Sequence, residues 1–260
     1  MTKAKLTILG CGNSTGVPAA GNHWGACDPL EPKNRRTRSS IAVQTDTTTI
    51  IVDTGPDFRD HMNKADIKHI HAVFYTHAHA DHMNGMDDVR GYVFRQKQKM
   101  PTYASAETFA DLEGYFPYMF QGGRIALYPP LLDKNIVTDQ PFSVGNIPVT
   151  PLVMDHESCT ATGYRFGNTA YCVDFVRLDD KAVEALKGID TWIVDSAGYN
   201  QNDIKVHANL QTIFDLNARI GAKRVILTSL SLAMDYQTLI GELPQGYEPG
   251  YDGMVLDVNL

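Results

Sequence analysis

The sequence predicts an α/β fold in which two sheets pack face to face with helices outside. Three observations carry that prediction. Strand-like apolar runs alternate with helix-like runs, and the alternation occurs twice, on either side of an aromatic middle segment. No linker, low-complexity tract or short-period repeat divides the 260 residues, so one domain over 1–260 is expected. A dense histidine cluster follows one of the strand-like runs, where folds of this class place reactive groups.

The elements follow in order. Leu6-Thr7-Ile8-Leu9 reads as a first strand. Ser40–Thr45 and Thr49–Asp53 read as two strands joined by the turn Asp46-Thr47-Thr48. A helix is expected near Asp57–Lys64. Ile70–Tyr75, apolar and aromatic-rich, reads as a short buried strand, and Met83-Asn84-Gly85-Met86 as a turn into a helix near Asp87–Gln96. Met100–Pro130, rich in Tyr, Phe and Gly, suggests a strand, a helix and a flexible loop over the site. The second half has strands near Ile147–Val153, Ala161–Phe166 and Ala170–Asp174. A helix near Asp179–Lys187 and a strand near Thr191–Asp195 follow. A helix near Ala208–Ile220 and a strand near Arg224–Thr228 complete the pattern.

Composition narrows the function class. A hydrophobic content of 43% with 20% charged residues is ordinary for a globular protein. No apolar run is long enough to span a bilayer, and Leu6–Leu9 is too short for a signal-peptide core, so no membrane partner is expected. Four cysteines without a C-x-x-C pair suit a reducing, cytoplasmic setting. The net charge of −7 argues against a protein that coats nucleic acid. Lys33-Asn34-Arg35-Arg36-Thr37-Arg38 stands against that balance; such a run is ordinarily a solvated loop, here with an anion-facing role as the alternative.

The chemistry concentrates in Thr76-His77-Ala78-His79-Ala80-Asp81-His82. His77 and His79 can reach one metal ion, and Asp81 and His82 a second beside it. Neutral imidazole and carboxylate suit Zn, Mn or Fe. A solvated histidine-rich loop is the alternative, but an apolar strand and a glycine turn bound the cluster. Asp53 ends a buried strand before Gly55-Pro56, where its carboxylate would hydrogen-bond a metal-bound histidine from behind or cap a turn. His156, after the strand ending at Val153, is a further ligand candidate. Asp174 and Asp195 both end strands; either could bridge cations or close a turn. His207 precedes a helix and suits an uncoordinated acid or donor near a substrate. Arg90 suits a phosphate oxygen; Arg95 reads as a solvated helix face. Gly10-Cys11-Gly12-Asn13-Ser14-Thr15-Gly16 lacks the lysine and spacing of a P-loop and reads as a glycine-rich turn.

Together these residues resemble the metallo-β-lactamase superfamily of metal-dependent hydrolases. The anchors are Leu9-Gly10, Asp53-Thr54-Gly55, His77-x-His79-x-Asp81-His82, His156, Asp174 and Leu227-Thr228. Within it the chain looks most like the phosphoribosyl cyclic phosphodiesterases of phosphonate breakdown. That likeness rests on Gly16-Val17-Pro18, Trp24-Gly25-x-Cys27-Asp28-Pro29, Asn34-Arg35-Arg36-x-Arg38 and Asp53-Thr54-Gly55-Pro56-Asp57-Phe58-Arg59. Gly163-Tyr164-Arg165-Phe166 and Tyr251-Asp252-Gly253-Met254 add to it. The resemblance implies a four-layer αββα sandwich of α/β (α+β) class, the metallo-β-lactamase fold. It implies one metal on His77, His79 and His156, a second on Asp81 and His82, and Asp174, ahead of Asp195, bridging them. Asp81 and His207 are then the catalytic candidates, and Arg90 and Ser229 the substrate-binding ones.

Two departures stand out. The family carries histidine where this chain has Ser229, so the second of the one or two Zn, Mn or Fe ions should bind more weakly, take a water in place of the missing ligand, or be absent. The phosphonate enzymes also hold a cysteine-built zinc site, of which only Cys27 and His23 remain. The expected function is a phosphodiesterase acting on a cyclic phosphate or small nucleotide-like diester through a metal-activated hydroxide. The alternatives are another hydrolase on this scaffold (RNA 3′-end, thioester or lactone) and a catalytically weakened nucleotide-binding protein. The expected partner is a small molecule, without broad nucleic-acid binding, and a homodimer is admitted.

Overall fold

The computed structural model of the protein describes residues 2–123, 128–201 and 205–260. The first sheet runs β1 (Lys3–Gly10), β2 (Ser40–Gln44), β3 (Thr49–Val52), β4 (Ala72–Phe74), β5 (Met100–Ala104), β6 (Leu132–Ile136). The second contains β7 (Phe142–Val144), β8 (Ile147–Asp155), β9 (Thr160–Phe166), β10 (Thr169–Cys172), β11 (Thr191–Asp195), β12 (Arg224–Thr228) and β13 (Tyr247–Pro249), in that spatial order. The last strand, β14 (Val255–Asn259), returns to the first sheet and pairs antiparallel with β1. Both sheets are mixed. β3 through β6 are parallel, as are β10 through β13.

The central strands β2, β3 and β4 of the first sheet are buried on both faces, which is why they read as continuous apolar runs. Alternate residues point to opposite faces. Ile41, Val43, Ile50, Val52, Ala72 and Phe74 enter the core between the sheets. Their neighbours Ala42, Ile51 and Val73 face outward against the helices α1 (Phe58–Lys64), α2 (Ala80–Met83), α3 (Arg90–Gln96), α4 (Ala106–Tyr115) and α5 (Pro117–Gln121). The second sheet is covered by α6 (Asp180–Leu186) and α7 (Leu210–Ile220), with α8 (Tyr236–Glu242) beside β13. Two sheets with helices outside is the αββα arrangement expected from the sequence. The Asp179 and Asn209 carboxylate and amide oxygens cap α6 and α7 by accepting from Ala182 N and Thr212 N at 2.7 and 2.8 Å.

Several boundaries differ from the sequence reading. The helix expected from Asp87 begins at Arg90, after a 3-10 turn over Met86–Val89. The helix expected from Ala208 begins at Leu210. The turn expected at Met83-Asn84-Gly85-Met86 follows a short helix, α2, that carries Asp81 and His82. Of the loop expected over the site within Met100–Pro130, residues 124–127 lie outside the described residues.

The sheets are tied together just below the histidine cluster. Phe74 of β4 packs on Tyr164 of β9 with ring centroids 5.0 Å apart. Such aromatic pairs contribute about 0.5–1.5 kcal/mol beyond their buried area. Tyr164 Oη donates to Tyr75 O at 2.8 Å, and Thr162 N donates to Thr76 O at 2.8 Å. The backbone that launches His77 is thereby anchored to the opposite sheet.

His61 on α1 is a titratable group buried away from that cluster, 2% exposed. Its Nε2 lies 2.7 Å from Thr37 Oγ1, and its Nδ1 has no partner among the described residues. Burial disfavours the imidazolium and holds the pKa at about 4, below its ordinary 6.5. The folded chain therefore resists a proton that the unfolded chain accepts. Stability from this group is full above pH 6.5 and is lost as pH falls towards 4. At about 1.4 kcal/mol per pKa unit the loss comes to about 3 kcal/mol. His61→Gln should flatten the stability–pH profile between pH 7.5 and 4.5 by that order. Parallel urea-midpoint profiles for the two proteins would contradict the assignment.

Candidate metal centre and active-site cleft

Apart from His207, ahead of α7, and Arg90, at the start of α3, the candidate site residues lie at the C-terminal ends of strands. Asp53 follows β3, Thr76–His82 follow β4, and His156 follows β8. Asp174 follows β10, Asp195 closes β11, and Ser229 follows β12. In open α/β sheets this edge is where ligands bind. Asp53, Asp174 and Ser229 have positive φ, of 65°, 54° and 55°. Non-glycine residues rarely adopt this conformation, and such strain clusters at functional sites. The turn of backbone swings each side chain off the strand axis towards one point.

That point is Asp174, 5% exposed. Its Oδ2 lies 3.5 Å from His77 Nε2, 3.2 Å from His82 Nε2 and 4.0 Å from His156 Nε2. His79 Nδ1 is 3.3 Å from His156 Nε2, and Asp81 Oδ2 is 3.3 Å from His82 Nε2. Ligand atoms of His77, His79, His156 and Asp174 all lie within 4.8 Å of one another, as do those of Asp81, His82 and Asp174.

The donor chemistry fits a divalent metal. Among the described residues His77 Nε2 is buried without a hydrogen-bond partner, an arrangement costly unless something accepts its lone pair. Burial, then the neighbouring His82, holds the His77 pKa well below its ordinary value, so the ring is neutral. Burial works against a charged Asp174, yet the surrounding imidazoles, His82 first, hold its carboxyl well below the usual range. A neutral His77 imidazole beside an anionic carboxylate suits such a cation. Burial works against a charged His82, but Asp174 and Asp53 lift its pKa well above the ordinary value, so it would give up that proton on ligating a metal.

Supporting contacts orient these groups. Asp53, fully buried, accepts from Thr76 N at 2.8 Å and Thr76 Oγ1 at 2.9 Å, and lies 2.7 Å from His82 Nδ1. This fixes the His82 ring with Nε2 towards Asp174. Gly55 permits the approach of α2: a Cβ there would collide with Asp81 O. Thr54 N accordingly donates to His82 O at 2.8 Å, and Gly85 N to Thr54 O at 2.7 Å.

A cavity of about 190 Å³ opens over the cluster. His79, Asp81, His82, His156, Asp174, His207 and Ser229 line it, together with Gly12, Asn13, Ser14, Ser39, Ser158 and Val206. His207 Nδ1 lies 2.9 Å from Asp195 Oδ2, and Asp195 Oδ1 accepts from Ala197 N at 2.9 Å. Burial works against a charged His207, but the bond to Asp195 and the nearby carboxylates lift its pKa to about 9. Asp195 thus orients His207, a role that its sequence signature as a strand-terminal Asp leaves open. Ser229 Oγ is 3.5 Å from Asp174 Oδ1 and 3.3 Å from Ser39 Oγ. Ser39 escaped the sequence reading because a lone serine before a strand carries no signal.

Arg90 is not brought to this cleft. Its guanidinium pairs with Asp87 one turn earlier, and Asp87 Oδ1 also accepts from Tyr118 Oη at 2.7 Å. The basic run divides. Lys33 Nζ sits over the Tyr236 and Tyr251 rings, and Arg35 stacks on Trp24. Arg36 is buried with Asn34 Oδ1 at 3.0 Å, and Arg38 pairs with Asp57. Among the described residues no metal-capable group includes Cys27 or His23, and all four cysteines are unpaired.

A family model described as the beta-lactamase superfamily domain matches residues 48–228, which hold the histidine cluster, His156, Asp174 and His207. The chain belongs to the beta-lactamase superfamily. Among solved members of the fold, it is similar to a structure described as a new diphosphatase from the PhnP family. The identity is 32%, covering 98% of this chain and 97% of that one, with a TM-score of 0.89. Zn(2+)-bound PqqB from Methylobacterium extorquens shares the superfamily fold at 18% identity and a TM-score of 0.73, covering 98% and 100%. A curated relative from Porphyromonas gingivalis (strain ATCC BAA-308 / W83), named octanoyltransferase, is 30% identical over 252 residues. That match covers 96% of this chain and 51% of the relative, so the chain spans about half of that protein's length. The chain groups imidazoles and carboxylates at a cleft where they could hold a divalent metal. Among its described residues no helix is long and apolar enough to cross a membrane.

Proposed function

We propose that the protein is a metal-dependent phosphodiesterase acting on a cyclic phosphate or small nucleotide-like diester. The observation that carries this reading is the convergence of His77, His79, His156, Asp81 and His82 on Asp174 beside the His207–Asp195 pair. The diphosphatase name of a 32% identical neighbour supports phosphorus chemistry. His77, His79, His156 and Asp174 would hold the tighter ion, and Asp81, His82 and Asp174 a weaker one, because Ser229 offers only a hydroxyl. A bound Zn, Mn or Fe ion supplies Lewis-acid charge for phosphoryl oxygens and brings water to its nucleophilic state near neutral pH.

The chain's own groups do the rest. Asp53 keeps the His82 ring aligned. Asp195 takes His207 Nδ1–H, leaving Nε2 to protonate the leaving oxygen. The Ser229 hydroxyl, whose contact with Asp174 Oδ1 is long at 3.5 Å, can turn to donate to a phosphoryl oxygen entering the cavity. A net charge of −7 favours a small-molecule partner over a nucleic-acid surface. The unpaired cysteines fit a cytoplasmic setting.

An acyl-thioester substrate is the second reading, because one relative bears the name octanoyltransferase. The cleft argues against it: among the described residues Val206 is the only aliphatic side chain on a wall of imidazoles, carboxylates, hydroxyls and an amide. An octanoyl chain would find no apolar groove there. Hydrolysis of bis(p-nitrophenyl) phosphate and of cyclic nucleotides, run beside thioester and lactone substrates with elemental analysis, tests the choice. Turnover of the thioester alone would overturn the proposal, and nucleotide binding without turnover would mark a weakened binder.

His207→Gln should lower kcat for an alkoxide-leaving cyclic phosphate by about 10²-fold or more. For bis(p-nitrophenyl) phosphate, whose leaving group needs little protonation, the loss should be far smaller. Equal losses on both substrates would remove His207 from the acid role.

A further inference from the structure

A second cavity lies at the end of the first sheet away from the metal ligands. It opens between the C-terminal turns of α1 and α3 and the segment 65–71 that leads into β4, and it measures about 510 Å³. The His77–His82 cluster leaves β4 from the opposite end. The floor of the cavity is polar and locked. Tyr92 Oη donates to Ile67 O at 2.6 Å, Ile70 N donates to Gln96 Oε1 at 2.9 Å, and Gln96 Nε2 donates to Ile70 O at 2.8 Å. The rim is of another kind. Asn63, Lys68, His69 and Arg95 line it, and among the described residues no carboxylate does.

Arg95, which the sequence leaves on a solvated helix face, is turned to this cavity. A basic residue in the last turn of a helix ordinarily reaches for the terminal carbonyls. The Arg95 guanidinium instead lies back over the Tyr92 ring, with Cζ 4.5 Å from the centroid. Gly91 leaves room for that posture. A Cβ there would stand 3.3 Å from Arg95 Nη1 and would meet no other side chain within 4 Å among the described residues. Glycine inside a helix costs about 1 kcal/mol relative to alanine, and here the space it leaves serves the guanidinium alone. Among the described residues Arg95 joins no ion pair and the Asn63 side chain no hydrogen bond. Lys68 pairs with Asp66 on the open surface, a contact that contributes at most about 1 kcal/mol and leaves the ammonium free to turn. Lys64, Lys97 and Lys99, all exposed, adjoin these segments in a chain whose net charge is −7.

We propose that this cavity binds a small molecule carrying a diphosphate group, at a site separate from the metal cleft. The Arg95 fork matches two oxygens of one phosphate, and Lys68, His69 and Asn63 supply N–H donors around the other. A rim of cations without a carboxylate draws an anion against the overall negative charge. Tyr92 and Gln96 are already committed to the backbone, so the floor needs no ordering when the ligand enters. The volume suits a ligand larger than a lone phosphate. The cavity shares no lining residue with the cleft, so the proposal does not rest on the phosphodiesterase reading.

Inorganic pyrophosphate is titrated into the protein as purified and followed through the side-chain amide resonances of Asn63 and Gln96, which report this cavity and not the cleft. Both resonances should shift, with a Kd that Arg95→Gln weakens at least about tenfold. Gly91→Ala should weaken it as well while the melting temperature holds or rises, because alanine favours the helix and its Cβ crowds the guanidinium. Both variants should hydrolyse bis(p-nitrophenyl) phosphate as the wild type does. If the wild type hydrolyses no diester, the amide shifts still decide the site, and only the phosphodiesterase reading fails. Phosphatidylglycerol vesicles form a second arm. Sedimentation with vesicles that Arg95→Gln abolishes, without amide shifts from pyrophosphate, would assign the basic rim to a lipid surface and overturn the proposal. Unshifted amides at millimolar pyrophosphate, or one Kd for the wild type and Arg95→Gln, would overturn it too.

Discussion

His79→Ala should leave the protein folded and nearly abolish its hydrolysis of phosphodiesters. The side chain is exposed at the cleft, so its loss opens no core cavity and the melting temperature should hold. The same side chain supplies one of the atoms grouped with His77, His156 and Asp174. Taking one imidazole from such a set weakens ion binding. A metal ion contributes several kcal/mol to stabilising a charged transition state, so kcat/KM should fall on the order of 10³-fold. Elemental analysis of the purified variant should show metal content reduced in step. Full activity at an undiminished metal content would refute the proposed centre, and a large drop in melting temperature would make His79 a structural residue instead.

Ser229→His should raise the amount of metal retained per chain and increase turnover. Ser229 is buried at the end of β12, 3.5 Å from Asp174 Oδ1 and beside Ser39, so an imidazole there faces the Asp81–His82–Asp174 group. Its φ of 55° excludes most replacements, but histidine is among the residues enriched in that region. Asp81, His82 and Asp174 supply one atom each, a set short of the four ligands typical of a zinc site. The expected change is about one further equivalent of Zn or Mn per chain at saturation, read by elemental analysis after removal of free metal. Identical stoichiometry in both proteins would show that position 229 does not limit the second ion.

The residues that the sequence made legible share a property. His77, His79, Asp81 and His82 are local: four donors follow a single apolar strand, and the strand's end aims them together. Asp53 and Asp174 were legible as strand-terminal carboxylates, although their positive φ values, which turn them inward, were not. Asp195 carried the same signature as Asp174, and only its 2.9 Å contact with His207 gives it a distinct task. Arg90 illustrates the reverse. Closeness in sequence to the cluster suggested the cleft, but Asp87 one helical turn away captures its guanidinium.

The same division runs through the fold. Central strands such as Ile50–Val52 and Ala170–Cys172 are buried on both faces, so their apolar runs stand out. β6, β7, β13 and β14 lie at or near sheet edges, where short segments mix exposed and buried residues and read as loops. What the amino-acid order determined unaided was the class of fold and the kind of ion it could hold. Periodicity and donor type are local properties of a chain. Which carboxylate steers which imidazole was decided only by folding, because those contacts join strand ends brought side by side by hydrogen bonding between distant segments.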